Sequence, residues 1–271
     1  MLWFFGFALW MALAFAPARA GELADFFGGP GAGEETRVDH GAFDKILKSY
    51  VAPGRDGIAR VDYARLKASP DAAALKAYLA ALQQVKASAL PPRERMAFFI
   101  NLYNALTLDV VLCAYPVASI RKINISPGLL SVGPWGKTLV TVEGQALSLD
   151  AIEHDILRPV FKDPRVHYAV NCASLGCPNL AARAYMGANL ETMLEAAARD
   201  FINHRRGVNA EGKRIVLSRI YDWYAKDFTG EDGGLKGHLS RYAKPALKAR
   251  LAAMDGGFAY DYDWTINDAE R

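Results

Sequence analysis

The stretch between Pro91-Pro92 and Tyr115-Pro116, RERMAFFINLYNALTLDVVLCA, is apolar almost all the way round a helical wheel, which limits what the chain can fold into. Proline is accepted in a first helical turn and not beyond it, so Pro91-Pro92 opens this helix and Pro116 ends it near Ala114. A helix without a polar face has to be surrounded. Residues 92–114 are therefore expected at the centre of the fold, with Cys113 in the core as an inert thiol.

The other elements read as a mixture of helices and strands. Ala and Leu at helical spacing predict a helix over residues 70–85, residues 138–147 alternate as a hairpin around Glu143-Gly144, and Ser148 can cap a helix from Leu149 to Leu157 that Pro159 ends. Val166 to Cys172 reads as a strand, Asn189 caps a helix to about Asn203, Arg214 to Ser218 is a short strand, and Leu235 to Ala252 is helical with a break at Pro245. The expected fold class is mixed α/β (α+β), a single domain whose central buried helix packs against a small sheet.

Residues 1–20 have the form of an export signal: an apolar run from Leu2 to Ala16 and a small-residue cleavage site, Ala18-Arg19-Ala20. The segment ahead of the run has no Lys or Arg, which leaves an uncleaved anchor as the alternative, but the run is short of the ~20 apolar residues that span a bilayer. Residues 21–39, rich in Gly and acidic groups, read as a flexible leader, and residues 40–271 as the domain. The expected location is periplasmic or secreted. Loss of Arg19 takes the net charge from +3 to +2, and no run of Lys or Arg makes a nucleic-acid or membrane patch. The expected partner is a small-molecule or peptide substrate, with no nucleic acid, no membrane after cleavage and no cofactor. Cys113, Cys172 and Cys177 are an odd count, so at least one thiol is unpaired within the chain.

Three groups of polar residues can carry chemistry. Asn101 and Asn104 lie three apart on one face of the buried helix, and an amide left there without a partner costs roughly 1–3 kcal/mol, so each pins a loop or meets a ligand. Glu153 and His154 are adjacent, so only one of them can face a site squarely in an α-helix; Glu153 also suits a first helical turn. In DPRVHYAVNCASLGCPNL a strand would put His167 and Asn171 on one face and Cys172 on the other, so a histidine paired with Cys172 has to come from elsewhere, with His154 the first candidate. Cys172 and Cys177 can close a short disulfide loop, exchange redox states, or supply a nucleophile, Cys172, with Asn101, Asn104 or Asn171 orienting a base or donating to an oxyanion. Their spacing matches no common zinc site, and no metal is expected.

The motifs FFINLYNALTL, YPVASIRKI, SLDAIEHDILRP, DPRVHYAVNCASLGCPNL and YDYDWTIND, in this order, resemble those of the domain of unknown function 547 (DUF547) family, over about Met96 to Asp268. The resemblance implies emphasis on Asn101, Asn104, Glu153, His154, His167, Asn171, Cys172, Ser174, Cys177, Pro178, Asp227 and Trp264. Phe99 replaces a common Trp, and Thr265-Ile266-Asn267 a common Ser-Leu-Asn, both conservatively. Some eukaryotic members join this domain to a glutaredoxin-like module, which implies thiol chemistry by association alone.

The resulting expectation is a cysteine-dependent enzyme, a hydrolase or an acyl or thiol transferase. Cys172 is the nucleophile, His154 its base or ion-pair partner, and Asn101 or Asn104 the orienter, with Glu153, His167, Asn171, Ser174 and Cys177 binding around them. By analogy the fold is loosely like that of thiol peptidases and transglutaminases. The alternative is a non-catalytic module that binds a small ligand and carries a Cys172–Cys177 disulfide. The motif around Asp227-Phe228 and the terminal Asp263-Trp264 are expected to be structural, the tail docking as a strand or clip.

Overall fold

The computed structural model describes residues 21–31, 36–128, 131–211, 214–230 and 233–270; the expected signal, residues 1–20, lies outside them. The chain begins with helices α1 (Glu22–Phe27) and α2 (Gly41–Tyr50), then the antiparallel pair β1 (Val51–Pro53) and β2 (Ala59–Val61), then α3 (Tyr63–Lys67) and α4 (Asp71–Leu82). In α2 the buried Phe43, Ile46, Leu47 and Tyr50 recur every three or four residues, as do Leu75, Tyr78, Leu79 and Leu82 in α4, so each helix lays one stripe on the core.

Helix α5 (Pro92–Ala114) is the expected central rod, with proline in its first turn and every residue from Glu94 to Leu108 buried. It is long and apolar enough to cross a membrane, but 89% of its apolar window is buried inside the protein. Its main neighbours are α4, α3 and a π-helical segment, Ala151–Leu157. Cys113 is exposed and not in the core, because the last turn of α5 runs out past the buried Leu112.

The first residues of the expected flexible leader are docked. Leu23 and Phe27 of α1 are buried, and the Phe27 ring meets that of Phe99 on α5 edge-on at 5.0 Å. Arg95, 1% exposed, donates to the carbonyls of Phe27, Gly29 and Leu90. The carbonyls left open where α1 ends thus supply the acceptors that a buried guanidinium needs.

After α5 come the hairpin β3 (Val140–Val142) and β4 (Gln145–Leu147), the π-helical segment, and α6 (Arg158–Phe161). Glu143 and Gly144 both have positive φ, 49° and 79°, as the tight hairpin turn requires. Pro159 does not end the helix as expected. It falls in the first turn of α6, where the Arg158 N–H reaches back to the Glu153 carbonyl and a missing donor disrupts no α-helical ladder.

The remaining elements are α7 (Val166–Ala169), α8 (Leu190–Ile202), β5 (Val208–Asn209), β6 (Val216–Ser218), α9 (Ile220–Trp223), α10 (Gly234–Tyr242), α11 (Pro245–Ala252) and β7 (Ala259–Asp261). Strand β6 pairs antiparallel with β5 and parallel with β7. The expected strand over Val166–Cys172 is instead the helical turn α7 followed by an extended segment. Asp163-Pro164 starts a turn there, with Asp163 Oδ1 accepting the Arg165 N–H at 2.9 Å, and this start signal outweighs the alternation that follows.

Two groups of buried side chains make up the interior. One surrounds α5; the other gathers Tyr168, Phe201, Leu217, Tyr221, Phe228 and Leu239 from α7 to α10. The C-terminal tail spans both: Gly176 and Leu175 donate to the Asp263 and Thr265 carbonyls at 2.8 Å, Asn267 N–H reaches the Ala173 carbonyl, and Val61 N–H reaches the Asn267 carbonyl. The tail is thus a clip on the cysteine loop.

Candidate active site

The π-helical segment presents Glu153 and His154 to one cleft, against the expectation that only one could face it. A π turn holds more residues than an α turn, so neighbouring side chains diverge less. Glu153 lies buried inside and His154 stands at the mouth, its side chain 37% exposed. Ser148 Oγ starts the segment by accepting the Ala151 N–H at 3.0 Å.

Asn101 and Asn104 are loop pins and line no part of the cleft. Asn101 exchanges both amide hydrogen bonds with the backbone of Tyr185, at 2.7 and 3.0 Å. Asn104 donates to the Ala169 carbonyl at 2.9 Å and accepts the Asn171 N–H at 2.8 Å, which holds the chain extended as it enters the cysteine loop. Asn171 closes that loop, donating to the Pro178 carbonyl at 2.7 Å and accepting the Ala173 N–H at 2.8 Å. With all three amides engaged on backbone groups, the catalytic orientation expected of Asn101 and Asn104 is replaced by a structural one.

Cys172 sits on the floor of the cleft, half-buried, with its Sγ 3.0 Å from Tyr262 Oη, 3.1 Å from Cys177 Sγ and 3.4 Å from Ser174 Oγ. Cys177 is buried behind it and accepts the Cys172 N–H at 3.0 Å. A disulfide requires sulfurs about 2.04 Å apart, so the pair is a dithiol here. The two thiols are unlike. The hydrogen bond from Cys177, helped by Ser174 and Tyr262, pulls Cys172 below its ordinary value despite burial and the Glu153 charge. Burial, followed by the bond to Cys172, pushes Cys177 well up. The accessible sulfur is the acidic one, and the shielded sulfur keeps its proton.

No histidine hydrogen-bonds to Cys172 among the described residues, so the expected His154–Cys172 pair does not form. His154 Nδ1 faces the Arg158 guanidinium at 3.1 Å, and its Nε2 lies 3.7 Å from Asp150 Oδ1. His167 serves a charge network. Its Nε2 is 2.7 Å from Asp227 Oδ2 and its Nδ1 is 3.5 Å from Glu153 Oε1, a charge contact too long for a good hydrogen bond, while its ring stacks on Tyr224 at 4.0 Å. Arg158 grips Asp227 with Nε and a terminal nitrogen, at 2.6 and 3.0 Å. Burial disfavours charge on His167, but Asp227 and Glu153 more than offset this and raise it above its ordinary value. Burial likewise pushes Glu153 and Asp227 up; His167 lowers both on balance, with Arg158 adding to the effect at Asp227. The result is a buried imidazole held between two carboxylates that favour its protonated form.

The cleft above Cys172 has a volume of about 240 Å³ and is walled by Trp135, Trp223, Tyr224, Tyr262 and Trp264. Sequence reasoning missed several of these groups. Asp227 and the tail had a structural reading, which the hydrogen bonds of Asp227 to the site imidazole and of Tyr262 to the site thiol extend. Asp150, Trp135, Trp223, Tyr224 and Arg158 carried no pattern that set them apart. The one available signal was the density of aromatic residues in the tail, YDYDW.

A central helix sheathed by helices and small sheets, with unlike thiols under an aromatic cleft, defines a mixed α/β protein with a candidate thiol site. Residues 87–202 match the family described as "Protein of unknown function, DUF547", the family that the motifs resemble. No curated protein and no solved structure matches the chain, and the likeness to thiol peptidases and transglutaminases is an analogy only. Glu153, His154, His167, Cys172 and Cys177 fall inside the matched stretch; Trp223, Tyr224, Asp227, Tyr262 and Trp264 lie beyond it.

Proposed function

We propose that the protein is a cysteine-dependent thiol transferase, with Cys172 as nucleophile and Cys177 as resolving thiol. The observation that carries this reading is the 3.1 Å approach of two chemically unlike sulfurs, the acidic one at the cleft and the protonated one behind it. The Cys172 thiolate attacks one sulfur of a substrate disulfide, forming a mixed disulfide and expelling the other half as a thiolate that takes a proton from water. Cys177 then gives up its proton and attacks Cys172 Sγ, closing the Cys172–Cys177 bond and releasing the second half. The substrate gains the two electrons that the protein dithiol loses, and a small dithiol reductant returns them to the protein. Transfer to sulfur is favoured over amide hydrolysis because no imidazole stands at Cys172 to protonate an amine leaving group.

The reading takes the protein to act outside the cytoplasm, supported by the apolar run Leu2–Ala16 and the Ala18-Arg19-Ala20 site. A second reading, a non-catalytic module closed by a structural disulfide, is favoured by the hydrogen bonds that already hold the two sulfurs together. Alkylation of the purified, non-reduced protein across pH separates the two. The transferase labels quickly at Cys172 with a midpoint below the ordinary thiol value, and the labelling is lost on oxidation by a small disulfide and regained with a dithiol. If neither Cys172 nor Cys177 labels until reductant is added, and the reduced protein does not reduce a small disulfide, the structural module holds.

A further inference from the structure

We infer that the group delivered to Cys172 carries an organic cation, an ammonium or alkylated ammonium, which the aromatic wall receives with Glu153 and Asp150. This inference rests on the thiol-transfer reading of the same cleft and names its substrate class. The wall is continuous: ring centres lie 4.7 Å apart for Tyr262–Trp264, 4.9 Å for Trp223–Tyr262, 5.5 Å for Trp223–Trp264 and 5.7 Å for Trp135–Trp264. Their planes are inclined by 33° to 69°, and the Arg121 guanidinium already stands over the Trp264 ring, 5.3 Å from its centre. An open aromatic face attracts a cation through its quadrupole, most strongly where water is displaced.

The charges lining the cleft point the same way. His154 Nδ1 faces the Arg158 guanidinium, which can only donate, at 3.1 Å. His167 is met from both sides by Glu153 and Asp227, and Asp227 also by Arg158. Asp150 has His154 beside it at 3.7 Å; burial raises its carboxyl, His154 offsets part of this, and Glu153 and Asp155 add to the raise. The described residues that line the cleft include the carboxylates of Asp150 and Glu153 and no Lys or Arg. An anionic substrate would meet repulsion there, and a neutral one would leave the wall's preference unused.

Three small symmetrical disulfides that differ in the charge of their ends provide the test: cystamine (cationic), bis(hydroxyethyl) disulfide (neutral) and dithiodiglycolate (anionic). Each rate of oxidation of the full protein is divided by the rate at which a small free thiol attacks the same compound, at matched ionic strength. The expected order is cystamine first, by about ten-fold over the neutral compound, as one desolvated cation–π contact provides, with dithiodiglycolate last. Asp150→Asn and Trp264→Leu compress the order. Equal normalised rates, or the anion fastest, overturn the inference while leaving thiol transfer standing. If none of the three reacts, thiol transfer fails, and the Cys172→Ser protein titrated with tetramethylammonium, against sodium chloride, decides the cation site alone. Saturable quenching of tryptophan fluorescence supports it, and an unchanged spectrum overturns it.

Discussion

Tyr262 Oη stands 3.0 Å from Cys172 Sγ across a separation of 90 residues, and 3.0 Å from Ser174 Oγ as well. The C-terminal clip therefore does more than close the fold, because it carries a hydroxyl donor to the one accessible sulfur of the cleft.

Replacing Tyr262 by Phe removes a hydrogen bond to a charged sulfur, worth about 1.5–3 kcal/mol. The alkylation midpoint of Cys172 should rise by roughly one pH unit or more, since one unit corresponds to about 1.4 kcal/mol. The pH profile of iodoacetamide labelling reads this directly. A midpoint that does not move would show that Tyr262 only packs the wall.

The pinning role of Asn104 predicts a loss of stability. Asn104→Ala leaves the Ala169 carbonyl and the Asn171 N–H buried without partners, at a cost of about 2–4 kcal/mol for the two. Urea denaturation should show that drop. An exposed amide such as Gln84, replaced in the same way, should shift stability by about 0.5 kcal/mol or less.

The network of Glu153, His167 and Asp227 fixes a pH window. The contribution of His167, raised from 6.5, is fully present below that value and fades as pH rises through its higher folded value. Those of Glu153 and Asp227, lowered from 4.5 and 3.8, are present above those values and fade as pH falls through the folded ones. The contribution of the network to stability is expected to be flat between 4.5 and 6.5 and to decline on both sides, on a background in which buried His40, lowered to about 4, costs stability as pH falls below 6.5. In His167→Gln the alkaline decline should disappear; if the parent and variant curves run parallel, the imidazole is not charged.

Docking of α1 predicts that the segment ahead of α2 is part of the fold. Phe27→Ala empties a fully buried site and should cost about 3–5 kcal/mol. A chain beginning at Val38 should lose more, because Arg95 is left without the Phe27 and Gly29 carbonyls. Thermal unfolding of the two variants beside the parent is the measurement; equal midpoints would contradict the docking.

Much of the architecture was legible because the signals are local. Pro91-Pro92 and Pro116 bound α5, Glu143-Gly144 turns the hairpin, and Pro245 separates α10 from α11, since in each case backbone sterics act within a few residues. The strand expected at Val166–Cys172 and the helix end expected at Pro159 failed where two local signals competed, a helix start against an alternating pattern and a proline against a change of helical register. The leader failed because Gly-rich composition says nothing about Arg95, the buried cation sixty-odd residues downstream that needs its carbonyls.

At the site the division runs between inventory and partnership. The sequence by itself determined that Cys172 and Cys177 share one short loop, that Asn101 and Asn104 have to be satisfied inside a buried rod, and that Glu153, His154 and His167 are within reach of chemistry. Only the tertiary structure decided which groups meet: Tyr262 and not a histidine at Cys172, Asp227 at His167, backbone and not ligand at the two asparagines. Residue type and spacing encode what each group can donate or accept, whereas these partners lie 60 to 90 residues apart and are joined by packing that no local pattern records.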